Sequence, residues 1–284
     1  MREICVMKFI KMQGCGNDYV YIDGFKENVK DPSSLAIKVS DRHFGVGSDG
    51  LVLILPSETC DFRMRMFNAD GSESQMCGNA SRCLARYVYE EGLTHKKAFT
   101  LETLAGIKEI KLNFSEEAIE TVTVDMGIPV LSPKEIPVKI EGDRVIEYPI
   151  SVLESDYTFT PVSMGNPHAV IFVDDVEHFP LEIVGPVIER HFLFPERTNV
   201  EFIEVINRTH LKMRVWERGA GETLACGTGA CSSVVAAVLN GVSDREATVE
   251  LKGGQLEIKW ENLNQHVYMT GDAVRVFEGE LTNF

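Results

Sequence analysis

Two stretches of this chain set a cysteine in a glycine-rich turn. "NADGSESQMCGNASRC" (Asn68–Cys83) surrounds Cys77, and "ERGAGETLACGTGAC" (Glu217–Cys231) surrounds Cys226. A thiolate is a base and a thiol an acid, so two of them flanking one carbon can remove a proton from one face and return one to the other. Two neighbouring thiols can also cycle through a disulfide. A lone Cys-Gly pair requires neither explanation, because cysteine also packs as a small buried residue. The repetition of one context points to chemistry at Cys77 and Cys226. It leaves Cys5, Cys15, Cys60, Cys83 and Cys231 as structural residues.

Each of the two cysteines lies between a strand and a helix. "DFRMRMF" alternates, with Phe62, Met64 and Met66 on one face and Asp61, Arg63 and Arg65 on the other. "HLKMRVW" does the same with Leu211, Met213 and Val215. "LVLIL" (Leu51–Leu55), "VIFV" (Val170–Val173) and "VEFIEVI" (Val200–Ile206) predict further strands, and Gly253-Gly254 a hairpin. After Cys226, "ACSSVVAAVLNG" is small and apolar all round, the pattern of a helix buried on every side, with Gly241 as its stop. The helix after Cys77 ends similarly at Gly92, and Arg82 and Arg86 predict a polar side for it. Both cysteines therefore fall at helix N-termini, where unsatisfied N–H groups and partial positive charge favour anions. A thiol there ionises more readily, and a substrate carboxylate can dock on the same N–H groups.

The chain also repeats itself. An offset of 149 residues carries Cys77 to Cys226 and lays Arg63–Gly92 over Lys212–Gly241 without a gap. Met64/Met213, Arg65/Arg214, Glu73/Glu222, Gly78/Gly227 and Gly92/Gly241 are identical pairs, and Gly16-Asn17 falls on Gly165-Asn166. With a slip of one residue, "DRHF" (Asp41–Phe44) matches "ERHF" (Glu189–Phe192), and Leu101–Leu112 matches Val249–Trp260. Ordered matches at nearly one offset indicate an internal duplication. The expected class is α+β: two pseudo-symmetric domains, each a curled, mostly antiparallel sheet around a buried helix, with the active site in the cleft between them. The join is expected near "DMGIPV" (Asp125–Val130). The expected domains are residues 1–126, with the C-terminal segment 272–284 packing back on the first, and residues 127–271.

Composition narrows the function classes. With 284 residues there is ample material for a core, and a formal net charge of −15 argues against a nucleic-acid partner. The N-terminal "MREICVMKFIKMQG" is interrupted by Lys8 and Lys11, unlike a signal peptide, and no apolar run approaches a membrane span. Seven cysteines, an odd number, fit a reducing cytoplasm, and without a C-x-x-C the cysteines alone give no zinc signature.

At "MQGCGNDYVYID", "DRHFGVGSDG", "FNADGSESQMCGN", "MGNPHAV", "RTNVEF", "WERGAGETLACGTGA" and "TGDAVRVFEGE", taken in that order, the sequence resembles diaminopimelate epimerases, which are cofactor-independent amino-acid epimerases. The likeness runs over nearly the whole chain. It departs in "CGNAS", where Ala80 stands in place of a glycine common in the family, and at Gly50, where some members carry glutamine. Family chains usually begin near "MKF", so Met7 is the expected start and residues 1–6 an extension.

The resemblance implies that Cys77 and Cys226 exchange protons with the substrate α-carbon, assisted by His168 and Glu217. It implies that N–H groups of Gly78, Asn79, Gly227 and Thr228 hold the α-carboxylate. Asn17, Asn68, Asn166, Asn199, Glu217 and Arg218 are the implied substrate-binding side chains, several of them reading the distal end. A guanidinium suits a distal carboxylate, and a carboxylate with amide oxygens suits a distal ammonium. No cofactor and no metal are implied; the partners implied are a small-molecule substrate and a second copy in a homodimer, with no membrane. Other classes stay open: a proline racemase-like or phenazine-type isomerase of the same plan, a non-catalytic amino-acid-binding protein, or a thiol redox protein. For isolated residues the plainer readings are a capping histidine at His168, a solvated carboxylate at Glu217 and turn asparagines.

Overall fold

The computed structural model describes residues 6–282 and divides into two compact units, Met1–Val124 with Gly271–Phe284, and Asp125–Thr270. Cys5 and most of the proposed extension at residues 1–6 lie outside the described residues.

The first unit runs β1 (Val6–Gly14), β2 (Asn17–Asp23), α1 (Pro32–Ser40), β3 (Gly50–Leu55), β4 (Phe62–Asn68), the short β5 (Glu73–Ser74), α2 (Gly78–Glu90), β6 (Ala98–Thr103), β7 (Gly106–Ser115) and β8 (Ala118–Gly127). The second runs β9 (Tyr148–Val152), β10 (Ser155–Ser163), β11 (Pro167–Phe172), α3 (Leu181–Glu189), β12 (Asn199–Asn207), β13 (His210–Glu217), β14 (Gly221–Glu222), α4 (Gly227–Leu239), β15 (Glu246–Leu251), β16 (Gly254–Trp260) and β17 (Val267–Gly271). A last strand, β18 (Val274–Thr282), pairs antiparallel with β1 in the first unit.

Within each unit the ladder is mixed but mainly antiparallel. β1–β2, β3–β4, β6–β7 and β7–β8 are antiparallel, whereas β2–β3 and β4–β6 are parallel. The second unit repeats this with β10–β11, β12–β13, β15–β16 and β16–β17 antiparallel and β11–β12 and β13–β15 parallel. The duplication holds to the residue. Tyr19 faces Gly50 as His168 faces Asn199, and Leu51 faces Phe67 as Val200 faces Trp216, all at the offset of 149. Beyond the helices the offset becomes 148, since Thr103 faces Gly106 as Leu251 faces Gly254. Side chains alternate between the two faces of a strand, so one such register keeps the same face inward in both copies.

α2 packs on β1, β2 and β7, and α4 on β10, β11, β12, β15 and β16. Each sheet curls because its helix is apolar on more than one side. Ala230, Cys231, Val234, Val235, Ala236 and Ala237 are all fully buried in α4, so the sheet has to cover it. α2 corrects the expectation of a polar side at Arg82: its side chain is wholly buried. Arg82 Nε donates to the Asp272 carbonyl at 2.9 Å, and Arg86 Nη1 donates to the Ala273 carbonyl at 2.7 Å. The returning segment ahead of β18 supplies these acceptors, 190 and 187 residues away in the chain. Two further helices had no strong periodic signal. α1 starts at Asp31-Pro32, with Asp31 Oδ1 accepting from Ser34 N at 3.1 Å, and α3 carries Pro186 inside it.

Losing Arg82 leaves a part-buried carbonyl without its donor, a defect worth roughly 1–3 kcal/mol. Arg82→Met is therefore expected to lower urea-unfolding stability by about that amount. Wild-type stability in this variant would mean that the tie to the Asp272 carbonyl contributes nothing.

Candidate active site

In the first unit, Cys77 is the N-cap of α2 in extended geometry, half-buried, with Gly78 and Asn79 opening the first turn. Its Sγ lies 3.3 Å from Asn17 Oδ1, which also accepts from Asn79 Nδ2 at 3.3 Å. Asn17 Nδ2 donates in turn to Asp49 Oδ2 at 2.8 Å. Asn17, Cys77 and Asn79 thus form one cluster, anchored by an aspartate that sequence reasoning did not single out. Asn79 Oδ1 is buried and has no partner among the described residues. Asn68, at the end of β4, bonds within its own turn: its Nδ2 donates to Ser72 Oγ at 3.0 Å. Gly50 carries no candidate role, but a Cβ there would lie 2.0 Å from the Phe67 carbonyl oxygen, so the β3–β4 pairing needs glycine as it stands.

In the second unit, Cys226 is the buried N-cap of α4, followed by Gly227 and Thr228. Its Sγ accepts from Gly229 N at 3.4 Å and lies 3.5 Å from Thr228 Oγ1. A Cβ at Gly229 would sit 2.8 Å from Glu201 Oε1 and 3.2 Å from Cys226 Sγ, so only glycine lets the helix come this close. His168, fully buried on β11, has Nδ1 2.6 Å from Glu201 Oε1 and Nε2 3.0 Å from Asn166 Oδ1. Glu217, at the end of β13, accepts from Thr223 Oγ1 at 2.5 Å. Asn199 Nδ2 donates to the Pro167 carbonyl at 2.9 Å while its Oδ1 accepts from Arg218 N at 2.8 Å. The Arg218 guanidinium rests on the Glu196 carbonyl, with Nη1 at 3.0 Å.

The electrostatics around Cys226 favour the neutral thiol. Burial, then the nearby Glu217 and Glu201 carboxylates, push its pKa well above the ordinary 9.0, against the Thr228 hydroxyl and the Gly229 N–H. The helix-end effect expected to help ionisation is outweighed here by burial and like charge. Burial likewise raises Glu217 above the ordinary 4.5, opposed by the Thr223 hydroxyl, His168 and the Cys226 thiol. In the first unit, burial raises Cys15 to about 11 and Cys83 to about 12, which suits inert packing residues.

Glu201 was missed in the sequence. It sits in "VEFIEVI" between Val200 and Phe202, and all three are fully buried, so alternation gave no sign that its face was inward. His168, Glu201 and Cys226 place ligand-type atoms within 4.8 Å of one another. A nitrogen and an oxygen bound to one tetrahedral zinc ion lie about 3.3 Å apart, given bonds of about 2.0–2.1 Å. The 2.6 Å separation of His168 and Glu201 is instead that of a shared proton.

The family model for diaminopimelate epimerase matches residues 9–132 and 160–276. The diaminopimelate epimerase of Acetivibrio thermocellus is 59% identical over 275 residues, spanning 97% of this chain and 98% of its own length. Among solved structures, a phenazine biosynthesis protein from Bacillus anthracis aligns with a TM-score of 0.70 at 20% identity, covering 98% of this chain and 99% of that one. A hydroxyproline epimerase from Agrobacterium vitis, solved with trans-4-hydroxy-L-proline, also aligns at 0.70, at 13% identity over 99% of this chain and 93% of its own. The two structural likenesses show the shared fold.

A raised carboxyl pKa has a sign in stability. The folded state holds the Glu217 proton more tightly than the unfolded chain, so stability is lost as pH rises from the ordinary 4.5 through the raised folded value. Glu217→Gln removes that loss. The variant is expected to be more stable than wild type at pH 8, with the gain shrinking towards pH 4 in paired urea titrations. A gain that grows towards acid pH would contradict the burial of this carboxylate.

Proposed function

The chain belongs to the diaminopimelate epimerase family, and from that premise we propose that Cys77 and Cys226 are the two proton-transfer groups with which it interconverts LL- and meso-diaminopimelate. It is an amino-acid epimerase (an isomerase) of a kind that does not use pyridoxal phosphate, and this chemistry serves lysine biosynthesis. The observation that carries the assignment is the repetition: each unit has one thiol as N-cap of a 13-residue helix, at positions related by the duplication.

The reaction sets the demands. The α-proton of an amino acid is weakly acidic, and inversion requires a base on one face and an acid on the other. In this reading the substrate is bound with a thiol on either face of its α-carbon. One thiolate removes the proton, the opposite thiol delivers one, and the roles exchange in the reverse direction. The high pKa of Cys226 suits it to begin as the acid. Glu217 and His168, close to that thiol, are assigned to passing its proton on.

Without an electron sink the developing carbanion leans on its carboxylate. The N–H groups of Gly78-Asn79 and Gly227-Thr228 are assigned to that carboxylate, where their bonds strengthen as charge builds up. One such donor is worth about 3 kcal/mol in the transition state. Asn17, Asn68, Asn166, Asn199, Glu217 and Arg218 are assigned to binding the substrate. Substrate entry would release Arg218 from the Glu196 carbonyl and let Asn68 leave Ser72. The assembly proposed is a cytoplasmic homodimer, and among the described residues no helix is long and apolar enough to cross a membrane.

Cys77→Ala and Cys226→Ala are each expected to lower kcat for epimerisation in both directions by about 10²–10⁴-fold, the span of a positioned acid or base. Calorimetry should still detect diaminopimelate binding. Wild-type turnover by either variant would remove that thiol from the mechanism.

A further inference from the structure

We propose that Glu201 is a positioning residue: its carboxylate keeps a proton on His168 Nδ1 and turns the ring so that Nε2 is presented to Asn166. The inference rests on the proposed part of His168 in proton movement. Glu201 Oε1 is 2.6 Å from His168 Nδ1, and both side chains are wholly excluded from solvent. A carboxylate facing one ring nitrogen fixes which nitrogen carries the proton, and therefore which one is left to exchange it. The opposite nitrogen, Nε2, is 3.0 Å from Asn166 Oδ1, on the turn that carries the implied substrate-binding asparagine. An amide oxygen only accepts, so the Nδ1-protonated ring takes its hydrogen bond from the Asn166 NH₂ group once that amide turns over.

Three further observations separate this from a folding role. The register places Glu201 opposite Val170 as it places Val52 opposite Tyr21, so the first unit builds the same strand position with valine. His168 itself corresponds to Tyr19, so the histidine–carboxylate pair is present in one copy only. The second oxygen, Oε2, is buried with no partner among the described residues. A fold gains nothing from a half-satisfied buried carboxylate, and such groups mark functional positions. Finally, the backbone makes room for Glu201: Oε1 occupies the space a side chain at position 229 would need, beside the Cys226 turn. The ionisable groups facing the pair are Glu217 from β13 and Cys226 from the head of α4.

The test uses Glu201→Val, which reproduces the first unit's residue, and Glu201→Gln, which keeps a neutral acceptor. Nitrogen-15 NMR of the ligand-free protein reads the histidine tautomer, and steady-state kinetics reads kcat and KM in wild-type and His168→Asn backgrounds. The expected result for Glu201→Val is loss of the single Nδ1-protonated form and a kcat lowered by about 10- to 100-fold, the cost of removing a carboxylate that orients a metal-bound imidazole carried over to this ring. KM should stay within about threefold, Glu201→Gln should recover part of the rate, and Glu201→Val should cost nothing more once His168 is asparagine. An unchanged tautomer, an unchanged kcat, or an equal loss of rate in both backgrounds would overturn the proposal. Full activity in His168→Asn alone would instead contradict the role given to His168; the tautomer, which needs no turnover, would still decide what Glu201 does.

Discussion

An α-helix cannot satisfy its own first N–H groups, and the chemistry proposed for this protein depends on leaving them that way. Serine, threonine, aspartate and asparagine are the usual N-caps because their side-chain oxygens take up one of these donors. Here cysteine occupies both caps. Cys77 makes no capping bond, and Cys226 caps through a weak sulfur contact from Gly229 N at 3.4 Å. The helix end therefore keeps donors and partial positive charge for a ligand, next to a thiol that can move a proton. Glycine is needed at Gly229 for the approach to be this close.

Such a helix must be held elsewhere, and burial does it. α4 is small and apolar enough to be wrapped, and α2 is wrapped despite Arg82, because the segment ahead of β18 brings carbonyls to the guanidinium. Duplication then supplies the scaffold twice in one register. The two copies are not chemically equal. Cys77 has the amide of Asn17 as its neighbour, whereas Cys226 is surrounded by His168, Glu201 and Glu217, and its pKa is raised by the two carboxylates as well as by burial. A pair that must begin a cycle with one base and one acid benefits from that inequality.

Much of this was legible in the residues. The alternation of Phe62, Met64 and Met66 marked β4, the all-apolar run after Cys226 marked α4, and the 149-residue offset anticipated the strand registers. The misses share a cause. Arg82 reads as a surface residue because its partner at Asp272 lies far off in sequence, and Glu201 reads as one side of an alternating strand because the tertiary fold buries both sides. The Asp49 anchor of Asn17 depends on the parallel pairing of β2 and β3, which no local pattern announces. α1 went unread because it is short and lacks a strong apolar stripe, and α3 was obscured by Gly185 and Pro186.

The central claim is that two different groups handle the proton on the two faces of one carbon. It is tested most directly by turning over LL-diaminopimelate in D₂O and examining both pools at low conversion. Two groups predict meso product carrying deuterium at the inverted carbon while the remaining LL substrate keeps its original protium. Product that retains the substrate's own proton, or deuterium appearing equally in both pools from the start, would contradict the account.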